Sequence, residues 1–170
     1  TTTQVLSAPI PYVANTSGSW TTAGTWQNGD VWDITSLPNK DWAIVQVTNN
    51  SRVTTTNSHT HLGLLIDNGS ELEIQNDELL NNTSYVRLDG HVDLVGESQF
   101  IQTMNSDLDV ASSGYLERDQ DGQSNIHRYN YWSSPVSTIN TTQNNQAYTL
   151  SGVLRDGTTP TNPQAINFIG

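Results

Sequence analysis

A short unit repeats through the middle of the chain, and it limits the possible folds more than any other feature of the sequence. Residues 45–53, 64–74, 86–94 and 108–116 can be laid over one another. Each is a brief alternating strand, a polar turn and a second brief strand. The anchors Val47, Ile66, Leu88 and Val110 are spaced by 19, 22 and 22 residues, and Val53, Leu72 and Val92 by 19 and 20. A chain that advances by one strand-turn-strand unit every 20 or so residues can stack its units in parallel. Each coil then buries its inward aliphatics against the coils on either side. The spacing predicts an all-β, right-handed parallel β-helix, or solenoid, of about four coils.

An antiparallel β-sandwich is the alternative, because it also uses short strands joined by turns. The position of the turns favours the solenoid. Thr48-Asn-Asn-Ser51, Asp67-Asn-Gly-Ser70, Asp89-Gly-His91 and Ala111-Ser-Ser-Gly114 fall at the same place in each unit, as stacked corners should.

Composition agrees. Thr (22), Asn (18) and Ser (17) make up a third of the 170 residues, and only 14% are charged. Thr suits a pleated surface and Asn suits turns, whereas helical bundles need more Ala, Leu, Glu and Lys. Five Trp and six Tyr with spaced aliphatics argue against full disorder. Seventeen acidic against six basic residues give a net charge of −11. Arg52, Arg87, Arg118, Arg128 and Arg155 are scattered, so neither nucleic acid nor an anionic membrane surface is an expected partner. Without cysteine there is no disulfide, zinc thiolate or thiol nucleophile. No apolar run approaches 18 residues, so membrane insertion is not expected.

The expected organisation has three parts. Residues 1–19 read as a leader or linker, 20–136 as the solenoid with an N-terminal cap, and 137–170 as a linker and the start of an incomplete following module. The cap is assigned to Trp20, Trp26, Trp32 and Trp42, because the end coil of a solenoid would otherwise expose its core. Thr1 reads as the opening of a mature product or an excised piece. The final Ala165-Ile-Asn-Phe-Ile-Gly170 reads like the middle of a strand, so the chain is expected to belong to a longer protein.

Several groupings could carry chemistry. Glu71 and Glu73, Asp89 and Asp93, and Asp107 and Asp109 each place two acids on one strand face. Glycoside hydrolysis needs such a pair at a set separation, with one pKa raised by burial. Outward acids alternating with buried aliphatics are better explained as a solvated face, and no catalytic residue is assigned. His59 and His61 share one strand face, a start toward a metal site with no third ligand identifiable. Glu117, Asp119 and Asp121, followed by Gly122, are weak calcium candidates in a loop lacking the closing bidentate acid; no other cofactor is expected. No phosphate loop, nucleophile elbow or HExxH is present. Trp20, Trp26, Trp32 and Trp42 could stack on sugar rings if exposed, or pack on the solenoid end.

The string Leu88-Asp-Gly-His-Val-Asp-Leu-Val-Gly-Glu-Ser-Gln-Phe-Ile-Gln102, with Tyr129-Asn-Tyr-Trp-Ser-Ser-Pro-Val136, resembles a region of large secreted proteins of marine Flavobacteria and other Bacteroidetes. Trp26-Gln-Asn-Gly29, Asn39-Lys-Asp-Trp-Ala-Ile-Val45 and Leu62-Gly-Leu-Leu-Ile66 match the same region, so the resemblance covers roughly residues 20–170. It implies an extracellular or cell-surface location and export by the type IX route, and it carries no catalytic residues with it. The expected function is a non-catalytic structural or adhesive module of a large bacterial surface protein, contacting surface glycans or other copies and modules of its parent. The alternative is a carbohydrate-binding module attached to a polysaccharide-active enzyme. A polysaccharide lyase or hydrolase is a third reading.

Overall fold

The anchors of the repeat meet their counterparts strand to strand: Val47 pairs with Ile66, and Ile66 with Leu88. The structure, a computed structural model, describes residues 11–27, 44–120, 122, 125, 127–128, 153–159 and 163–166. The chain divides into two compact units, Thr1–Arg118 and Asp119–Gly170.

The first unit holds β1 (Tyr12–Ala14), β2 (Gly18–Ser19), a single 3-10 turn (Ala23–Thr25), β3 (Ile44–Val47), β4 (Arg52–Thr55), β5 (His59–Ile66), β6 (Glu71–Ile74), β7 (Leu79–Leu88), β8 (His91–Leu94), β9 (Gln99–Gln102), β10 (Asp107–Leu108) and β11 (Tyr115–Arg118). One sheet runs β1-β3-β5-β7-β10, with β9 also paired to β7, and the other runs β11-β8-β6-β4-β2. All of these pairings are parallel. The fold is a parallel β-solenoid of about four turns, not an antiparallel sandwich. In the second unit β12 (Arg155–Asp156) and β13 (Gln164–Ala165) form an antiparallel pair.

Register turns the repeat into columns of like residues inside the coil. Val45, Leu64, Val86 and Leu108 form one, and Val53, Leu72, Val92 and Leu116 another. Side chains alternate faces along each strand, so the residues between these point outward. All but the last member of each column is fully buried, and the last coil is the least covered.

The coil has three sides, not two. The long strands β5 and β7 bend where their register shifts between His61 and Gly63, so each supplies two sides. The first half of β7 pairs with β9 and its second half with β10. The shift also changes the phase of burial in β5, from His59 and His61 to Leu64 and Ile66.

Backbone chemistry at the corners explains the Asn, Asp and Gly content. Asn49, Asn50, Asn76, Asp77, Gly69 and Gly96 all have positive φ, a region that Asn, Asp and Gly enter at least cost. Corner side chains also tie neighbouring coils together. Asn49 Nδ2 donates to the Asn15 carbonyl (3.1 Å), Glu97 N–H to Asp77 Oδ1 (2.8 Å) and Ser113 N–H to Asp89 Oδ1 (3.2 Å).

Two boundaries need correction. Residues 12–19, expected as leader, carry β1 and β2, which pair with β3 and β4 as the first rungs of both sheets. Partners more than 30 residues away make them strands, and no local pattern announces this. The compact unit holding the solenoid ends at Arg118, ahead of the expected residue 136. The Tyr129–Val136 string and most of the expected following module lie outside the described residues.

Candidate functional site

The sheet β11-β8-β6-β4-β2 presents its alternate residues outward as a grid. Register aligns Arg52, Glu71, His91 and Tyr115 in one row, and Thr54, Glu73, Asp93 and Glu117 in the next. Neighbouring rungs of a sheet lie about 4.8 Å apart, so four carboxylates share one small face. Ligand atoms of Glu71, Glu73 and Asp93 all lie within 4.8 Å of one another, close enough to hold a divalent cation.

Arg52 already answers much of that charge. Its Nε lies 3.2 Å from Glu71 Oε1, and its Nη2 donates to Glu73 Oε2. Glu73 is only 4% exposed and also accepts from the Gln75 amide. On the next rungs His91 Nε2 lies 3.2 Å from Glu117 Oε2, and the Tyr115 ring stacks on His91 at 4.2 Å. Burial is the main cause that lowers the His91 pKa, and Glu71 works against it. Burial also raises the Tyr115 hydroxyl, with Glu117, Glu71 and Asp93 adding to the shift. Arg52 therefore ties β4 to β6 through an ion pair, while His91 and Glu117 form a separate polar contact between β8 and β11.

The other acid pairs are occupied locally. Asp89 bonds Arg87 at 2.7 Å, and Asp109 accepts from the Tyr85 hydroxyl and the Ala111 N–H. Hydrogen bonds from Tyr85 and then Ala111 hold the Asp109 pKa below its usual value. That direction is opposite to what a general acid needs.

The structure separates the sequence-predicted site residues. Trp20 and Trp26 are 1% and 4% exposed, so neither offers a face to a sugar, and both belong to the buried core. Trp32 and Trp42 lie outside the described residues, as does Asp121. Of the other calcium candidates, Glu117 sits on β11 facing His91, and Asp119 belongs to the second unit. The sequence missed the coupling of Arg52 to Glu71 and Glu73. Its only signal was the 19-residue spacing, which aligns Arg52 with Glu71 once the coils stack.

A match to a protein family described as a domain of unknown function (DUF8693) spans residues 14–155, most of the chain. The chain belongs to this family. The match begins at Ala14, the last residue of β1, and takes in β2. No curated protein and no solved structure matches the chain.

Proposed function

We propose that this DUF8693 chain is a non-catalytic structural module, a stiff spacer within a large bacterial cell-surface or secreted protein. One observation carries the reading: the outward polar groups are spent on links between coils. Arg52 joins β4 to β6, and the corner Asn and Asp side chains join turn to turn. Parallel ladders pulled along the solenoid axis load many such links together. Adhesive contacts, with surface glycans or with other modules of the parent, would use the acidic outer faces. An extracellular location and type IX export rest on the flavobacterial resemblance. Pulling a tandem polyprotein of this chain end to end should give a resolved unfolding peak for each copy. Extension without such peaks, or product release from marine polysaccharides, would overturn the proposal.

A carbohydrate-binding module is favoured by one residue, Tyr115. The residue is 61% exposed, its ring is backed by His91, and it shares the outward face with Glu117 and Asp93, whose oxygens suit sugar hydroxyls. Retention on a glycan array that Tyr115→Ala abolishes would support it, and no retention by the unaltered chain would remove it.

A further inference from the structure

The inside of the first coils contains groups that neither reading uses. His59 and His61 point inward from β5 and are 4% and 1% exposed. Both rings lie nearly parallel to the Trp20 indole, at 4.4 Å and 6.2 Å with interplanar angles of 21° and 22°. Trp20 meets Trp26 edge-on at 4.9 Å, and Trp26 Nε1 donates to the Trp20 carbonyl at 2.8 Å. The cap and the two imidazoles therefore form one continuous wall.

Among the described residues, no charged group faces these rings. On β4 the neighbour is Thr55, whose hydroxyl bonds His59 Nε2. On β7 the register partners are Leu80 for His59 and Asn82 for His61, and the N-terminal segment supplies the two tryptophans. On β5 itself each histidine has only the other as a titratable neighbour. The nearby Glu78 carboxylate is engaged outside by Ser58. His59 Nδ1 and His61 Nε2 are buried without a hydrogen-bond partner, as are Asn82 Oδ1 and Trp20 Nε1.

We propose that His59 and His61 form an acid-sensitive latch: neutral, they pack the cap onto the first coils, and protonation releases it. A proton on either ring would place an uncompensated charge in the core, and two would repel. Burial lowers His59 to about 3, with His61 adding to it, and lowers His61 to about 4. Both folded values lie below the unfolded value near 6.5. The stabilisation is thus complete above pH 6.5 and is lost as pH falls toward the folded values. Opening draws in up to two protons, so its equilibrium constant should rise by about 10- to 100-fold per pH unit below 6.5.

Hydrogen exchange of the full chain, read between pH 7 and 5, tests this in a window where most carboxylates stay ionised. Peptides covering residues 12–27 and 52–66 should lose protection by that factor, while those covering 85–94 lose less. In His59→Gln/His61→Gln, the pH dependence should disappear while that of His91 remains. If the double variant does not fold, side-chain NMR of the unaltered chain decides. Both imidazoles should stay neutral to below pH 5 in the folded protein. Ordinary titration near 6.5 in the folded chain, uniform loss of protection over all coils, or an unchanged pH dependence in the double variant would overturn the latch.

Discussion

At the scale of the residue, the stacked corners leave almost no room between coils, and glycine is the measure of it. A Cβ on Gly90 would collide with the carbonyl oxygens of Ser70 and Asp67 and lie 2.8 Å from Ile66 Cγ2. One on Gly114 would strike the Gly90 carbonyl in turn, so the two glycines form a column like the aliphatic ones. Backbone carbonyls cannot swing aside as a flexible side chain can. Gly90→Ala should therefore cost about 1–3 kcal/mol, whereas Gly24→Ala, with no heavy atom within 4 Å, should stay within about 0.5 kcal/mol. Urea unfolding of the two variants checks the contrast, and equal losses would count against close corner packing. The corner itself was legible in Asp89-Gly-His91, because its place in the repeat matched the other turns. The demand for glycine there was not, since it comes from the coil below.

At the scale of the element, how far a strand could be read depended on where its signal lay. The alternation of Leu72 with Ile74 and of Val92 with Leu94 carries the inward face in the sequence itself, and these strands lie where the repeat put them. The third side of the coil had no such signal. His59, His61 and Asn82 are polar residues at inward positions, and the bulge after His61 breaks the alternation that would have joined them to Leu64 and Ile66. Likewise Tyr12–Ala14 is too short to announce itself, and only β3 makes it a strand. The candidate face was half legible: its acids were evident, and their nearly buried partner geometry was not. Removing Arg52 would leave Glu73 almost buried beside Glu71 and Asp93 with only Gln75 for support. The Arg52 side chain is 45% exposed, and solvent screens much of its attraction. Arg52→Leu should cost about 1–2 kcal/mol, less than a fully buried pair would. Adding Glu73→Leu should recover most of the loss, because the stranded charge goes with its partner. A double-mutant cycle in urea measures this coupling, and strictly additive losses would mean that the pair contributes nothing between β4 and β6.

At the scale of the whole molecule, a stack in which each coil touches only its neighbours has stability that varies along its axis. The inner columns are enclosed on both sides through β8, and in the last coil Leu116 and Leu108 are only partly covered. The approximate energy of such a stack is a sum of coil terms and nearest-neighbour interfaces. Leu72 lies between Val53 and Val92, so truncating it damages two interfaces at once. Leu72→Ala should then lower global stability by about 2–5 kcal/mol and weaken exchange protection in every strand from β4 to β8. Leu116→Ala removes less buried surface at the edge of the column, and about 1 kcal/mol is expected. Its effect should be confined to β10 and β11, where the last coil can fray while the inner coils keep their partners. The two variants together separate a solenoid that unfolds from its end from one that unfolds as a single block. If Leu116→Ala lowered protection uniformly from β3 to β11, the nearest-neighbour description would fail. The coils would then be coupled more tightly than their strand pairing alone requires.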